Sequence, residues 1–316
     1  MEWLGSPLLV FLLALAADRR LGEPPAVVHP VVWMGSVTRP LVRWAEGSGS
    51  ARELAAGAAI ALLVPGLFAG GASLLLAVVS PWPLVWLAVA VWLLKSSFAL
   101  RALGSAVARV GEALRSDNLP AAREALGSLC SRDAAPLGKE ALAAAAIESA
   151  AENTSDSLVA PLFFFILFGV PGAVFYRAVN TLDAMIGYRG RYEYLGKAAA
   201  RLDDVCNLVP ARLTAWLIVA GGALRGGDWR RSWRIARRDH GLTASPNAGW
   251  PMAAMAGLLG VRLEKAGHYA LGDHGHPVSV EAIHRAWCYV DAAAIIACVS
   301  FALLLGMDYA VRPLVQ

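Results

Sequence analysis

Charge is scarce in this chain. Only 16% of its 316 residues are Asp, Glu, Lys or Arg, where a soluble domain carries about a quarter. With 57% hydrophobic residues and a mean hydropathy of +0.53, that scarcity excludes an ordinary soluble domain. Cysteine is sparse as well. Cys130, Cys206, Cys288 and Cys298 stand far apart with no CxxC pair, which argues against a zinc ribbon or a disulfide framework. Internal repeats and low-complexity tracts are missing, as are GxxxxGK[ST], GxGxxG after a strand, GxSxG and HExxH. Any nucleotide chemistry must therefore use a less familiar site. A net charge of +4 and a pI near 9.0 do not call for nucleic acid, because membrane proteins carry extra Lys and Arg on cytoplasmic loops.

What the chain has instead is apolar blocks. Leu54–Val79, Leu84–Leu103 and Tyr289–Leu305 approach the roughly 20 apolar residues that a spanning helix needs. Leu4–Ala17 has no basic n-region and no clean small-x-small cleavage site, so it reads as a retained membrane helix. Two weaker segments, 158–176 and 208–224, are interrupted by Gly169-Val170-Pro171-Gly172 and by Arg212. Interrupted apolar segments often line a site instead of crossing. Between the blocks, 96–151 is Ala-rich and amphipathic, with breaks at Asn118-Leu119-Pro120 and Ala135-Pro136 that predict two or three helices. The Arg/His-rich stretch 225–287 reads as short helices and loops. The expectation is an all-α, polytopic membrane protein forming one domain over 1–316, with cytoplasmic helical segments and re-entrant helices.

Charge sets the sidedness. The uncharged turn Ser80-Pro81-Trp82-Pro83 faces away from the cytoplasm, since Arg39, Arg43 and Arg52 precede its helix pair and Lys95, Arg101 and Arg109 follow it. If 158–176 and 208–224 both crossed, the basic stretch Arg177–Arg201 would lie outside, against the charge rule. The favoured reading keeps Lys95–Trp287 inside.

Carboxylates and arginines are costly beside a bilayer, so their clustering points to use. Glu148 and Glu152 stand one helical turn apart, with Asn153 and Asp156 following. Such oxygen ligands suit Mg²⁺, although Thr154, Ser155 or Asp156 as a helix cap is the plainer reading. Tyr176, Arg177, Asn180 and Asp183 recur at helical spacing. Tyr and Arg snorkelling to headgroups would explain the first two and not Asn180 and Asp183. Lys197 and Arg201 share a helix face that suits phosphate, with Asp203, Asp204 and Asn207 beside them. Taken alone, that cluster reads as an ordinary solvated face. Ser245-Pro246-Asn247-Ala248-Gly249 precedes an apolar helix, whose free N–H groups would favour an anion. His29 alone reads as structural, and His268, Asp273, His274 and His276 as no transition-metal site.

At these motifs the chain closely resembles the CobD/CbiB family of cobalamin-biosynthesis membrane proteins. The resemblance lies in Asp18–Gly35, Glu148–Pro161, Tyr176–Tyr188, Leu195–Arg212 and Ser245–Gly260, in order along nearly the whole chain. It departs in minor ways, as at Arg189-Gly190-Arg191-Tyr192. The resemblance implies adenosylcobinamide-phosphate synthase activity at the cell (inner) membrane. The free propionate carboxyl of adenosylcobyric acid would be joined to aminopropanol or its phosphate, with Mg²⁺ and ATP required. Its partners would be the lipid bilayer and other cobalamin-pathway membrane enzymes, and no nucleic acid.

Residue chemistry then suggests roles. Glu148, Glu152, Asn153 and Asp156 would hold the metal. Asn180 and Asp183 would complete that site or orient the amine. Arg177, Lys197 and Arg201 would bind phosphates, and Ser245, Asn247 and Gly249 would cradle the aminopropanol phosphate. Asp203 or Asp204 would take the ammonium proton. A non-catalytic, AmpE-like signalling relative is the alternative, which retention of these motifs disfavours. A transporter would need polar residues inside 54–79 and 289–305, which are nearly clean.

Overall fold

The computed structural model describes residues 5–188 and 190–315, with side chains to residue 307. Leu4 of the first apolar run and Arg189 of the variable segment lie outside the described residues. The fold is all-α, 76% helical. α1 (Pro7–Leu21), α2 (Pro30–Ala45), α3 (Ser50–Val79) and α4 (Pro83–Lys95) are followed by α5 (Leu100–Arg115), α6 (Leu119–Leu126) and α7 (Lys139–Thr154). A π turn, Ser155–Val159, leads into α8 (Ala160–Ile186), then α9 (Lys197–Leu224), α10 (Trp229–Asp239), α11 (Gly249–Leu259) and α12 (Val280–Val315). A short antiparallel hairpin, β1 (Leu263–Lys265) with β2 (Tyr269–Leu271), falls where only helices and loops were expected. The turn Ala266-Gly267-His268, with Gly267 at φ +74°, permits it.

The chain forms two compact units: Met1–Ala99 with Ala160–Cys206 and Ser300–Gln316, and Leu100–Val159 with Asn207–Val299. In the first unit, α3 is apolar all round. Leu62, Leu63, Leu67 and Leu74 are 60–70% exposed, a placement that water would penalise and lipid would not. The opposite face of α3 packs Ile60, Ala61 and Val64 against Val42, Leu182, Ile186 and Leu195. At Gly57 a Cβ would run into the Leu195 carbonyl, so only glycine allows this approach.

The second unit is built differently. α5 buries Leu103, Val107, Val110 and Leu114 and turns Arg101, Arg109 and Arg115 to solvent, the stripe of a helix on an aqueous surface. α7 is its centre, with Leu142–Ala151 buried on every face. α5, α6 and α7 account for the helices expected in 96–151, with Asn118 capping α6 through the Ala121 N–H.

The single helix expected over 84–103 is broken at 96–99. There the Ser96 and Ser97 hydroxyls donate back to the carbonyls of Trp92 and Leu93, and Lys95 reaches the Phe98 carbonyl. Local bonds of this kind compete with the helical ladder. Gly169, at φ +66°, bends α8, which resumes through Pro171 to Ile186.

Among the described residues, five helical stretches are long and apolar enough to cross a membrane, and 158–176 and 208–224 lie within two of them. For 208–224 the surroundings qualify that length. Trp216 packs against Trp233 of α10 with ring centroids 3.9 Å apart and planes tilted by 32°, and Arg230, Arg234 and Arg237 of α10 are exposed. Hydrocarbon around such a face would be costly.

Candidate functional site

In the second unit, α7 carries a buried carboxylate, Glu148. Glu148 is 4% exposed. Arg132, in the loop after α6, donates from Nη2 to Glu148 Oε2 at 3.0 Å. Tyr269 of β2 and Lys265 of β1 also act on this carboxylate, as does Glu152 one turn on. Burial and the neighbouring Glu148 charge push the Tyr269 phenol above its ordinary pKa, so it remains a donor. Glu148 Oε1 is buried with no hydrogen-bond partner among the described residues.

Glu148 and Glu152 are therefore brought together, with Asn153 beside them. Asn153 Nδ2 donates to the Ser149 carbonyl at 2.9 Å and the Leu129 carbonyl at 3.4 Å, which leaves only its oxygen for other use. Asp156 sits in the π turn, so no new helix is capped here. The Ser155 hydroxyl in that turn is buried and without a hydrogen-bond partner among the described residues, and π turns recur at functional sites. Among the described residues, no group of three or more His, Cys, Asp and Glu side chains is gathered to hold a metal ion.

The first unit holds the α8–α9 residues. Tyr176 is fully buried and stacks on Phe164 at 5.2 Å, so it does not snorkel. Arg177 Nη1 donates to Asn180 Oδ1 at 3.4 Å. Asp183 and Asp204 lie close enough to repel each other, and Arg201 pairs loosely with Asp204 at 3.8 Å. Lys197 and Arg201 are both exposed. Asp203 is half-buried on the same helix.

The same unit contains an ion group that local sequence does not announce. Lys95 Nζ lies 3.2 Å from Asp18 Oδ1 and 2.8 Å from Glu23 Oε1. His29 pairs with Glu23 through Nε2 at 3.0 Å, while its Nδ1 accepts the Val31 N–H and caps α2. Burial opposes ionisation of Glu23, but the bonds from His29 and Lys95 outweigh it and hold its pKa below the ordinary value.

The Ser245–Gly249 turn, in the second unit, is not an open cradle. Ser245 Oγ accepts the Asn247 and Ala248 N–H groups at 3.2 and 3.4 Å. Asn247 is buried and accepts from Arg212 at 3.3 Å. Gly249 packs against the His240 carbonyl, where a Cβ would not fit. His240 stacks on Trp250 at 3.9 Å, and Arg212 lies over the same indole at 5.2 Å. Burial and the Arg212 charge lower the His240 pKa, which disfavours the imidazolium. Sequence reasoning missed Arg132, Tyr269, Lys265, Lys95 and Arg212 as site members. Basic and aromatic richness was visible, but their partners lie far along the chain.

The family described as CobD/Cbib protein matches residues 11–290. The chain is 42% identical to the cobalamin biosynthesis protein CobD of Dehalococcoides mccartyi, over 96% of this chain and 98% of that protein. It is 44% identical to the probable cobalamin biosynthesis protein CobD of Thermococcus kodakarensis, over 83% and 84% of the two chains. With the cobalamin biosynthesis protein CobD of Geobacter metallireducens the identity is 39%, over 90% and 89%. No solved structure matches the chain.

Proposed function

This chain belongs to the CobD/CbiB protein family, and from that premise we propose that its part in cobalamin biosynthesis is an ATP-dependent amide ligation. The free propionate carboxyl of adenosylcobyric acid would be joined to aminopropanol or its phosphate. The observation that supports this best is the buried Glu148 carboxylate, held by Arg132 beside Tyr269 and Lys265, with one oxygen unpartnered among the described residues. A bare buried oxygen is costly unless something binds it.

A carboxylate does not acylate an amine unaided. Its oxygen would attack the γ-phosphorus of ATP, releasing ADP and leaving an acyl phosphate. The amine would then attack the acyl carbon, inorganic phosphate would leave, and the ammonium proton would pass to a base. Glu148 and Glu152 fit a hard cation of the Mg²⁺ type, which needs only one or two carboxylates when phosphate oxygens and water complete its shell. Such an ion would neutralise phosphate charge when bound. Asn153 would add its oxygen, and Asp156 stands nearest in sequence.

The other roles rest on side-chain chemistry. Arg177, Lys197 and Arg201 suit phosphate oxygens. Asn180 and Asp183 would orient the amine, and Asp203 or Asp204 would take its proton. With the Asn247 and Ala248 N–H groups already engaged, Ser245, Asn247 and Gly249 would shape the wall that receives the amine more than cradle its phosphate.

The test is turnover by detergent-purified protein given adenosylcobyric acid, Mg-ATP and each amine in turn. ATP-dependent cobinamide or cobinamide phosphate supports the ligase and identifies the amine. No product with either amine, from protein shown to be folded, overturns it in favour of the signalling relative.

A further inference from the structure

The second unit contains a cleft of about 950 Å³, large enough for a small-molecule ligand. It lies between the 132–138 loop, the first turns of α7, the β1–β2 hairpin and the 274–278 segment. We infer that this cleft is a binding site for a phosphate-bearing small molecule, with Lys265, Arg262 and Arg132 as its cationic contacts.

The argument is one of unequal satisfaction. Three carboxylates line the cleft, and each already has a partner. Asp133 Oδ1 accepts the Ala135 N–H at 3.0 Å, and Glu140 Oε1 accepts the Val278 N–H at 3.4 Å. Glu264 pairs with Arg262 at 3.3 Å. The donors are less fully used. The Lys265 ammonium makes no hydrogen bond or ion pair among the described residues, although its charge acts on Glu148. Arg132 is anchored through Nη2 to Glu148, and a guanidinium has further N–H groups to offer the cleft it lines.

Lys139 adds a fourth cation, partly engaged with Asp117 at 2.8 Å. His268, His274 and His276 add ring nitrogens. α7 also begins here, and its N-cap Gly138 supplies no side-chain acceptor for the first-turn N–H groups. A ligand rich in acceptors and negative charge would satisfy this wall, and phosphate is the group that does so.

The inference rests on the ligase reading only for the identity of the phosphate carrier, which would be ATP or aminopropanol phosphate. The test is direct binding to the full-length protein in detergent, using tripolyphosphate, Mg-ATP and aminopropanol phosphate as separate probes. Lys265→Ala and Arg262→Gln should each weaken at least one probe by about tenfold or more. Lys265→Arg should retain binding, and Arg237→Ala, on the exposed face of α10, should change nothing. The probe that weakens names the carrier. Wild-type affinity for all three in both Lys265→Ala and Arg262→Gln, or no binding by the wild type, overturns the inference. Failed turnover with these binding changes intact would instead overturn the ligase reading and leave the cleft assignment standing.

Discussion

Two buried ionic groups, one around Lys95 in the first unit and one around Glu148 in the second, are finished differently, while Asp239 of the second unit is closed by Arg238 and the Gly272 N–H. In the first, Lys95 is shared by Asp18 and Glu23, and His29 closes the far side of Glu23. Charges there answer one another, and the group joins the ends of α1 and α4 to the start of α2. In the second, Glu148 has Arg132 on one oxygen and no hydrogen-bond partner for the other among the described residues. A closed set serves stability. A set left open beside a basic cleft would keep a place for the proposed ligand, at some cost to stability.

Removing a charge from the closed set should therefore have the largest effect on folding. Lys95→Met would leave two carboxylates facing each other without their cation, with a loss of about 3–5 kcal/mol expected. Thermal unfolding in detergent measures this, and an unchanged midpoint would break the contrast between the units.

The open set should respond in activity instead. Glu152→Gln is expected to lower turnover by about a hundredfold or more while insertion and melting stay near wild type. Asp183→Asn, in the first unit but outside the Lys95 group, should do the same when tested likewise. Near-normal turnover in both would remove the proposed metal and amine roles together.

A smaller effect is expected from pH. The folded pKa of Glu23 is depressed, so its contribution is present at neutral pH. That contribution fades as pH falls below the unfolded value of about 4.3 and through the lower folded value. The melting difference between wild type and Glu23→Gln should thus shrink on acidification below about pH 4. A difference that grows there would reverse the assignment.

The smallest change concerns sidedness. Ser116→Cys and Arg234→Cys, at exposed positions, should alter stability by no more than about 0.5 kcal/mol. An impermeant thiol reagent should label both from the same side of the membrane. Labelling from opposite sides would mean that the chain crosses between them an odd number of times, against the placement of Lys95–Trp287 on one side.

Much of this was written locally. Apolar runs, Ala-rich amphipathic stretches and Pro/Gly breaks determined the helical class and the pairing of Glu148 with Glu152, because a helix places residues four apart on one face. Most helix ends, such as those of α8, α9 and α12, instead fell up to about ten residues beyond the apolar runs. The break at 96–99 was harder to see, since Leu100 and Leu103 continue the apolar pattern and only two serine hydroxyls interrupt it. The hairpin was hidden for a similar reason, as three-residue strands carry almost no periodic signal.

What tertiary structure alone decided is which charge meets which. Lys95 and Glu23 are 72 residues apart, and Arg132 and Glu148 are 16 apart across a loop. No local period links such positions. Their pairing follows from how the helices pack, because a buried charge must find its partner wherever the fold brings one within reach. The same packing leaves Glu148 Oε1 without a partner among the described residues and opens the basic cleft nearby. The amino-acid sequence thus set the helices and the motifs they carry, and packing decided which of those charges found a partner within the chain.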